Sequence, residues 1–129
     1  MSDTQIKSQF KTACIVQVGD GSNSFRLVQE LVYYSEILGR DIVVPVGFDT
    51  DFASIPKLLR WLIDVNGKHR KAAVVHDFLC VYGKSLDIPQ RTTDAIFNEA
   101  MGVVEVRPTQ RYPMYWGVRG YQSVKGLFA

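Results

Sequence analysis

Three short stretches of this chain gather residue types that can do acid–base or metal chemistry. The first is Gly47-Phe48-Asp49-Thr50-Asp51-Phe52-Ala53-Ser54-Ile55-Pro56. Asp49 and Asp51 lie two apart, so an extended backbone points both to one side, where they could share a hard cation or hold a histidine. The plainer alternative is that Asp, Thr and Ser shape a turn and cap the helix that follows. The second is Ala72-Ala73-Val74-Val75-His76-Asp77-Phe78-Leu79-Cys80, an apolar run broken by a histidine and an acid. Adjacent helical residues diverge by about 100°, so His76 and Asp77 serve different partners. His76 shares a face with Ala72, Ala73, Leu79 and Cys80, and an imidazole buried there needs a hydrogen-bond partner. Asp49, Asp51 or Asp94 can supply one. The third is Thr93-Asp94-Ala95-Ile96-Phe97, with Asp94 one turn from an apolar position. A carboxylate there would orient His76 through a ring N–H and raise its basicity. The alternative is an acid near a helix start, favoured by the helix dipole. His76, Asp94 and Asp51 are therefore the candidate catalytic residues, and Asp77 and Asp49 the candidate metal ligands.

These residues need a scaffold, and the pattern changes near residue 53. Before it the chain reads as strands. Cys14-Ile15-Val16-Gln17-Val18 and Phe25-Arg26-Leu27-Val28 flank a dense turn signal at Gly19-Asp20-Gly21-Ser22-Asn23, which predicts a hairpin. Leu31-Val32-Tyr33-Tyr34 and Ile42-Val43-Val44-Pro45-Val46 follow, and Pro45, lacking an N–H, marks a sheet edge or a strand end. After it the chain reads as helices. Ser54 and Pro56 open a short one that Asn66-Gly67 stops. Lys68 to Tyr82 forms a second, with Ala72, Val75, Leu79 and Tyr82 as one stripe, closed by Gly83. Pro89 opens a third that buries Ile96, Phe97, Ala100 and Met101 and ends at Gly102. A last segment, Gln110 to Val124, follows Pro108, and Pro113 is a second candidate for its start. The expectation is a single domain over 1–129, strand-rich over about 10–50 and helical over about 54–125. Its class is α+β: a small N-terminal antiparallel sheet followed by three to four helices packed on one face.

Composition narrows the function classes. An apolar fraction of 47% in 129 residues supports a packed core. A net charge of +2 with mixed signs argues against specific nucleic-acid binding, and the basic groups at Lys68-His69-Arg70-Lys71 and at Arg107, Arg111, Arg119 and Lys125 read as solvated helix faces. Cys14 and Cys80 match no metal spacing and read as buried free thiols. With only His69 and His76 available, zinc is not expected. The polar first ten residues and the absence of a long apolar run point to synthesis in a cytoplasm. Tyr112, Met114, Tyr115, Trp116 and Tyr121, interleaved with Arg, have the composition of a protein interface. Closing the core and peripheral membrane contact are the alternatives for this segment, and Gly117 and Gly120 weigh against the membrane.

The order and spacing of these pieces resemble the domain of unknown function numbered 1353, common in tailed phages. The likeness runs over roughly residues 25 to 120. It rests on the Val-Gly-Phe end of a strand, Thr50-Asp51-Phe52-Ala53-Ser54-Ile55-Pro56, Ala72 to Asp77, Asp94 with Phe97, and Met114-Tyr115-Trp116-Gly117-Val118-Arg119. It implies a virion or tail-associated protein, made in the host cytoplasm, that binds other phage structural proteins. The His76-Asp77 helix with a later Asp94 is also similar to the centre of phospholipases A2. That likeness implies a calcium-assisted hydrolase of lipid or cell envelope, with His76 as the base for water, Asp77 as a calcium ligand and Asp94 orienting His76. Carbonyls near Asp49 to Phe52 would complete the calcium site. Cys80 stands where that family has a tyrosine, and only Gly47 stands near its glycine-rich loop.

Overall fold

The structure is a computed structural model, which describes residues 6–18, 25–50 and 69–127, with side chains to Tyr121. Six short strands precede three helices among these residues, and the class is α+β. The strands form two antiparallel sheets of three. β1 (Gln9–Phe10), β4 (Leu31–Ser35) and β5 (Arg40–Val44) make one, with β4 central; β2 (Val16–Val18), β3 (Phe25–Leu27) and β6 (Asp49–Thr50) make the other, with β3 central. The expected hairpin is present, with Val16 opposite Leu27 and Val18 opposite Phe25.

Alternation decides which residues face the core. In β4 Leu31, Tyr33 and Ser35 turn inward, and their β5 partners Val44 and Ile42 turn inward with them. β5 stops at Val44 because Pro45 cannot continue the ladder, and β5 is an edge strand. Gly39 and Gly47, at φ +72° and +88°, take the left-handed turns after β4 and β5.

The helices are α1 (His69–Tyr82), α2 (Gln90–Val103) and α3 (Pro108–Leu127), with a 3-10 turn at Lys84–Leu86. α1 is buried on every side from Ala72 to Leu79, as a helix apolar all round must be. The expected stripe holds at Ala72, Val75 and Leu79, whereas Tyr82 lies 47% exposed. α2 buries Ile96, Phe97, Ala100 and Met101 as read from the sequence. α3 starts at Pro108, so Pro113 lies inside it; that proline removes one hydrogen bond in the second turn. The expected helix opened by Ser54 lies outside the described residues.

One acid ties α2 to the first sheet. Glu99 accepts the Tyr33 hydroxyl at 2.8 Å, the Ser35 hydroxyl at 2.8 Å and the Ile37 backbone N–H at 3.0 Å. Burial and then the Glu99 carboxylate push the Tyr33 phenol far above its ordinary value. Arg70 and Lys71 are not simply solvated. Their cations lie 5.7 Å from the Phe25 ring centre and 4.9 Å from that of Phe10, and hold α1 against both sheets. No helix among the described residues is long and apolar enough to cross a membrane.

Candidate functional site

The site lies where α1, α2 and α3 meet. His76 and Asp77 are neighbours on α1 and diverge as helical geometry requires. His76 faces α2, with Nε2 2.7 Å from Asp94 Oδ1, and both side chains are fully buried. The Phe97 ring packs beside the imidazole at 4.6 Å between centres. Asp77 faces β6 instead and accepts a short hydrogen bond from the Thr50 hydroxyl.

Asp94 is the hub. Besides His76 it accepts hydrogen bonds from Gln90 Nε2 at 2.9 Å on Oδ1 and from Arg119 Nη1 at 2.8 Å on Oδ2. Gln90 precedes it by one turn of α2, and Arg119 reaches in from α3. One carboxylate therefore joins residues of three helices. The reading of Asp94 as an acid at a helix start does not apply: it is fully buried and bonded through both oxygens.

Electrostatics follows from this geometry. Burial alone disfavours a charged imidazole, but the Asp94 hydrogen bond, with the Cys80 sulfur adding to it, outweighs burial and pushes His76 up to about 9. Burial likewise disfavours the Asp94 carboxylate. Hydrogen bonds from His76, then Arg119, hold it below its usual range all the same. The cluster is thus an anion held between two cations, with Nε2 of His76 engaged by Asp94. Proton chemistry at this ring would run through Nδ1.

Cys80 lies one turn after His76, its Sγ 3.9 Å from Nδ1 and 3.7 Å from Nε2. Gln90 Nε2 donates to the same sulfur at 3.4 Å. Both cysteines are free, and both are half-buried rather than buried as expected from the sequence.

The expected site residues fare differently. His76 and Asp94 come together. The Asp77 side chain turns instead to Thr50. Asp49 sits on the outer side of β6, opposite to Thr50, and pairs with Arg26 at 3.1 Å. That hydrogen bond holds the exposed Asp49 carboxyl below its ordinary value and raises Arg26. Asp49 and Asp77 do not share a cation here, since strand alternation sends Asp49 outward and Thr50 inward. Among the described residues no three His, Cys, Asp or Glu side chains gather closely enough to hold a metal ion. Asp51, the third candidate catalytic residue, lies outside the described residues. Gln90 and Arg119 were not singled out for this site. Arg119 read as part of a solvated basic face, although it also closes the Met114–Arg119 string of the family resemblance.

No curated protein and no solved structure matches this chain. The model of the family described as "Protein of unknown function (DUF1353)" matches residues 25–118, which include every residue of the His76–Asp94 cluster except Arg119. That match spans most of the chain, and the protein belongs to the DUF1353 family.

Proposed function

We propose that this protein is a phage-particle component that works by binding a protein neighbour through the outer face of α3. One observation carries this reading. α3 buries Met114 and Val118 completely and turns Tyr112, Trp116 and Tyr121 to solvent, with Trp116 65% exposed. Tyr112 and Trp116 are four apart and share a face. The Arg111 guanidinium lies 5.0 Å from the Tyr112 ring centre, and the Tyr115 ring packs edge-on to Trp116 at 5.1 Å. Trp, Tyr and Arg on one helical face are the residue types that dominate protein–protein binding energy. The buried cluster supports the same reading. An imidazole that keeps its proton at neutral pH is poorly suited to be a general base and well suited to be a fixed cation.

The test is incorporation into particles. Trp116→Ala, alone and with Tyr112→Ala, should leave thermal unfolding nearly unchanged. Copy number in gradient-purified particles should fall at least about tenfold, as loss of one hot-spot aromatic implies. Unchanged copy number in the double variant, or a purified protein that sediments as a dimer through this face, would overturn the reading.

A second reading has one observation in its favour. The 2.7 Å contact between His76 Nε2 and Asp94 is the way a carboxylate orients a catalytic imidazole. On that reading the protein is a hydrolase of lipid or cell envelope, with His76 as base and Asp51 and calcium as further parts. It requires His76 to be neutral at working pH.

A further inference from the structure

Charge along α3 is one-sided. Its 20 residues hold Arg111, Arg119 and Lys125 and no Asp or Glu. Arg119 turns its charge inward, onto Asp94. Arg107, exposed just before the helix, and Arg111 have no carboxylate within ion-pair distance among the described residues. The nearby exposed Glu105 reaches neither of them. Arg111 is nonetheless seated. Its guanidinium lies 5.0 Å from the Tyr112 ring centre. It also lies against Gly102 near the end of α2, where an added Cβ would overlap Nη1. Its Nε has no hydrogen-bond acceptor among the described residues. A guanidinium already held against a ring loses little further freedom when its N–H fork takes a carboxylate. Tyr112 and, one turn on, Trp116 extend the same exposed face.

We propose that the neighbour bound at this face is a protein segment that is acidic where it meets the start of α3. Its carboxylates lie on Arg111 and Arg107, and its apolar side chains on Tyr112 and Trp116. The inference rests on the reading of α3 as a docking face and adds the partner's charge to it. Complementary charge argues against a second copy as the occupant. A two-fold contact sets the same face against itself, and α3 has no acid to offer its own cations. Phosphate-bearing partners fit less well. A nucleic-acid backbone is tracked by many cations, and an anionic lipid surface by clusters of about four to eight. The unpaired cations of this face among the described residues are Arg107 and Arg111.

The probe is gradient-purified particles assembled without this chain, to which the purified full chain is added back at low and at high salt. Wild-type rebinding should weaken steeply as salt rises. Arg111→Glu should lower the affinity at least about tenfold, and Arg111→Gln several-fold. Gly102→Ala displaces the guanidinium and should also lower it several-fold, while its thermal melt stays at or above that of the wild type. Rebinding that is lost in Trp116→Ala but unmoved by salt and by Arg111→Glu overturns the acidic partner and leaves the docking face standing. Absent rebinding by the wild type, or rebinding unmoved by Trp116→Ala, overturns both. Single-stranded oligonucleotides and phosphatidylglycerol vesicles are the remaining probes. Arg111-dependent binding to either, as tight as binding to particles, makes phosphate the ligand and overturns the protein partner.

Discussion

Asp94 is the residue on which the most depends. A lone carboxylate without solvent exposure would be driven to its neutral form, yet the hydrogen bonds from His76, Arg119 and Gln90 keep it charged. The consequence for stability has a definite sign. His76 moves from 6.5 in an unfolded chain to about 9 in the folded protein. Its contribution is therefore fully present below about 6.5 and is lost as pH rises through about 9. Asp94 moves downward from 3.8, so its contribution is present above that value and is lost as pH falls through the folded one. Denaturant unfolding across pH should give a plateau from weakly acidic to neutral pH and a decline between neutral pH and pH 9. Stability that rises over that alkaline range would contradict the geometry. At this scale the sequence was legible where burial forced a partner. A histidine among Ala72, Ala73 and Leu79 had to find an acid, and Asp94 was among three named for it. Gln90 and Arg119 were not legible, because their side chains reach the cluster from the start of α2 and from a helix that begins at Pro108. Asp49 misled for a local reason: only the strand's alternation decides whether it or Thr50 faces inward.

α1 and α2 are joined through Gly83, where a tight turn rather than a flexible linker is needed. A Cβ at Gly83 would lie 2.3 Å from the Leu79 carbonyl oxygen and 3.1 Å from that of Ile88, both backbone atoms. The Gly83 N–H bonds that same Leu79 carbonyl at 2.7 Å, so the backbone has no room to yield. Gly83→Ala should therefore cost about 1–3 kcal/mol. Gly102 is the contrast. A Cβ there meets the end of the Arg111 side chain, which can swing aside, and alanine suits a helix better by about 0.5–1 kcal/mol. Thermal melts of the two variants should move in opposite directions or leave Gly102→Ala unchanged; equal losses would show that the α1–α2 turn is not the tight one. Much of this level was readable from periodicity, as with His69–Tyr82, Gln90–Val103 and the strand hairpin. The two-residue strands β1 and β6 were not, because alternation needs about four residues to be visible. The start of α3 was ambiguous because Pro108 and Pro113 both suit a first turn.

Across the whole molecule, two small sheets and three described helices converge on a few polar ties: Glu99 between α2 and the first sheet, Asp77 with Thr50 between α1 and the second, and Asp94 among the three helices. Each places an acid, buried at Asp77 and Asp94 and half-buried at Glu99, at a junction of elements, where it fixes how they sit and not only how well they pack. Arg119 makes α3 part of that arrangement, so the outer face with Tyr112 and Trp116 is presented by a helix anchored in the core. Sequence composition pointed to the aromatic segment, and helical phase then separated its buried Met114 from its exposed Trp116. The two proposed readings require opposite charge states of one ring, His76. Imidazole-nitrogen NMR of the native protein, followed across pH, measures it directly. His76 should carry protons on both nitrogens at neutral pH and titrate near 9. A His76 that is neutral at neutral pH, titrating at or below its ordinary 6.5, would contradict the fixed-cation account and restore His76 as a base.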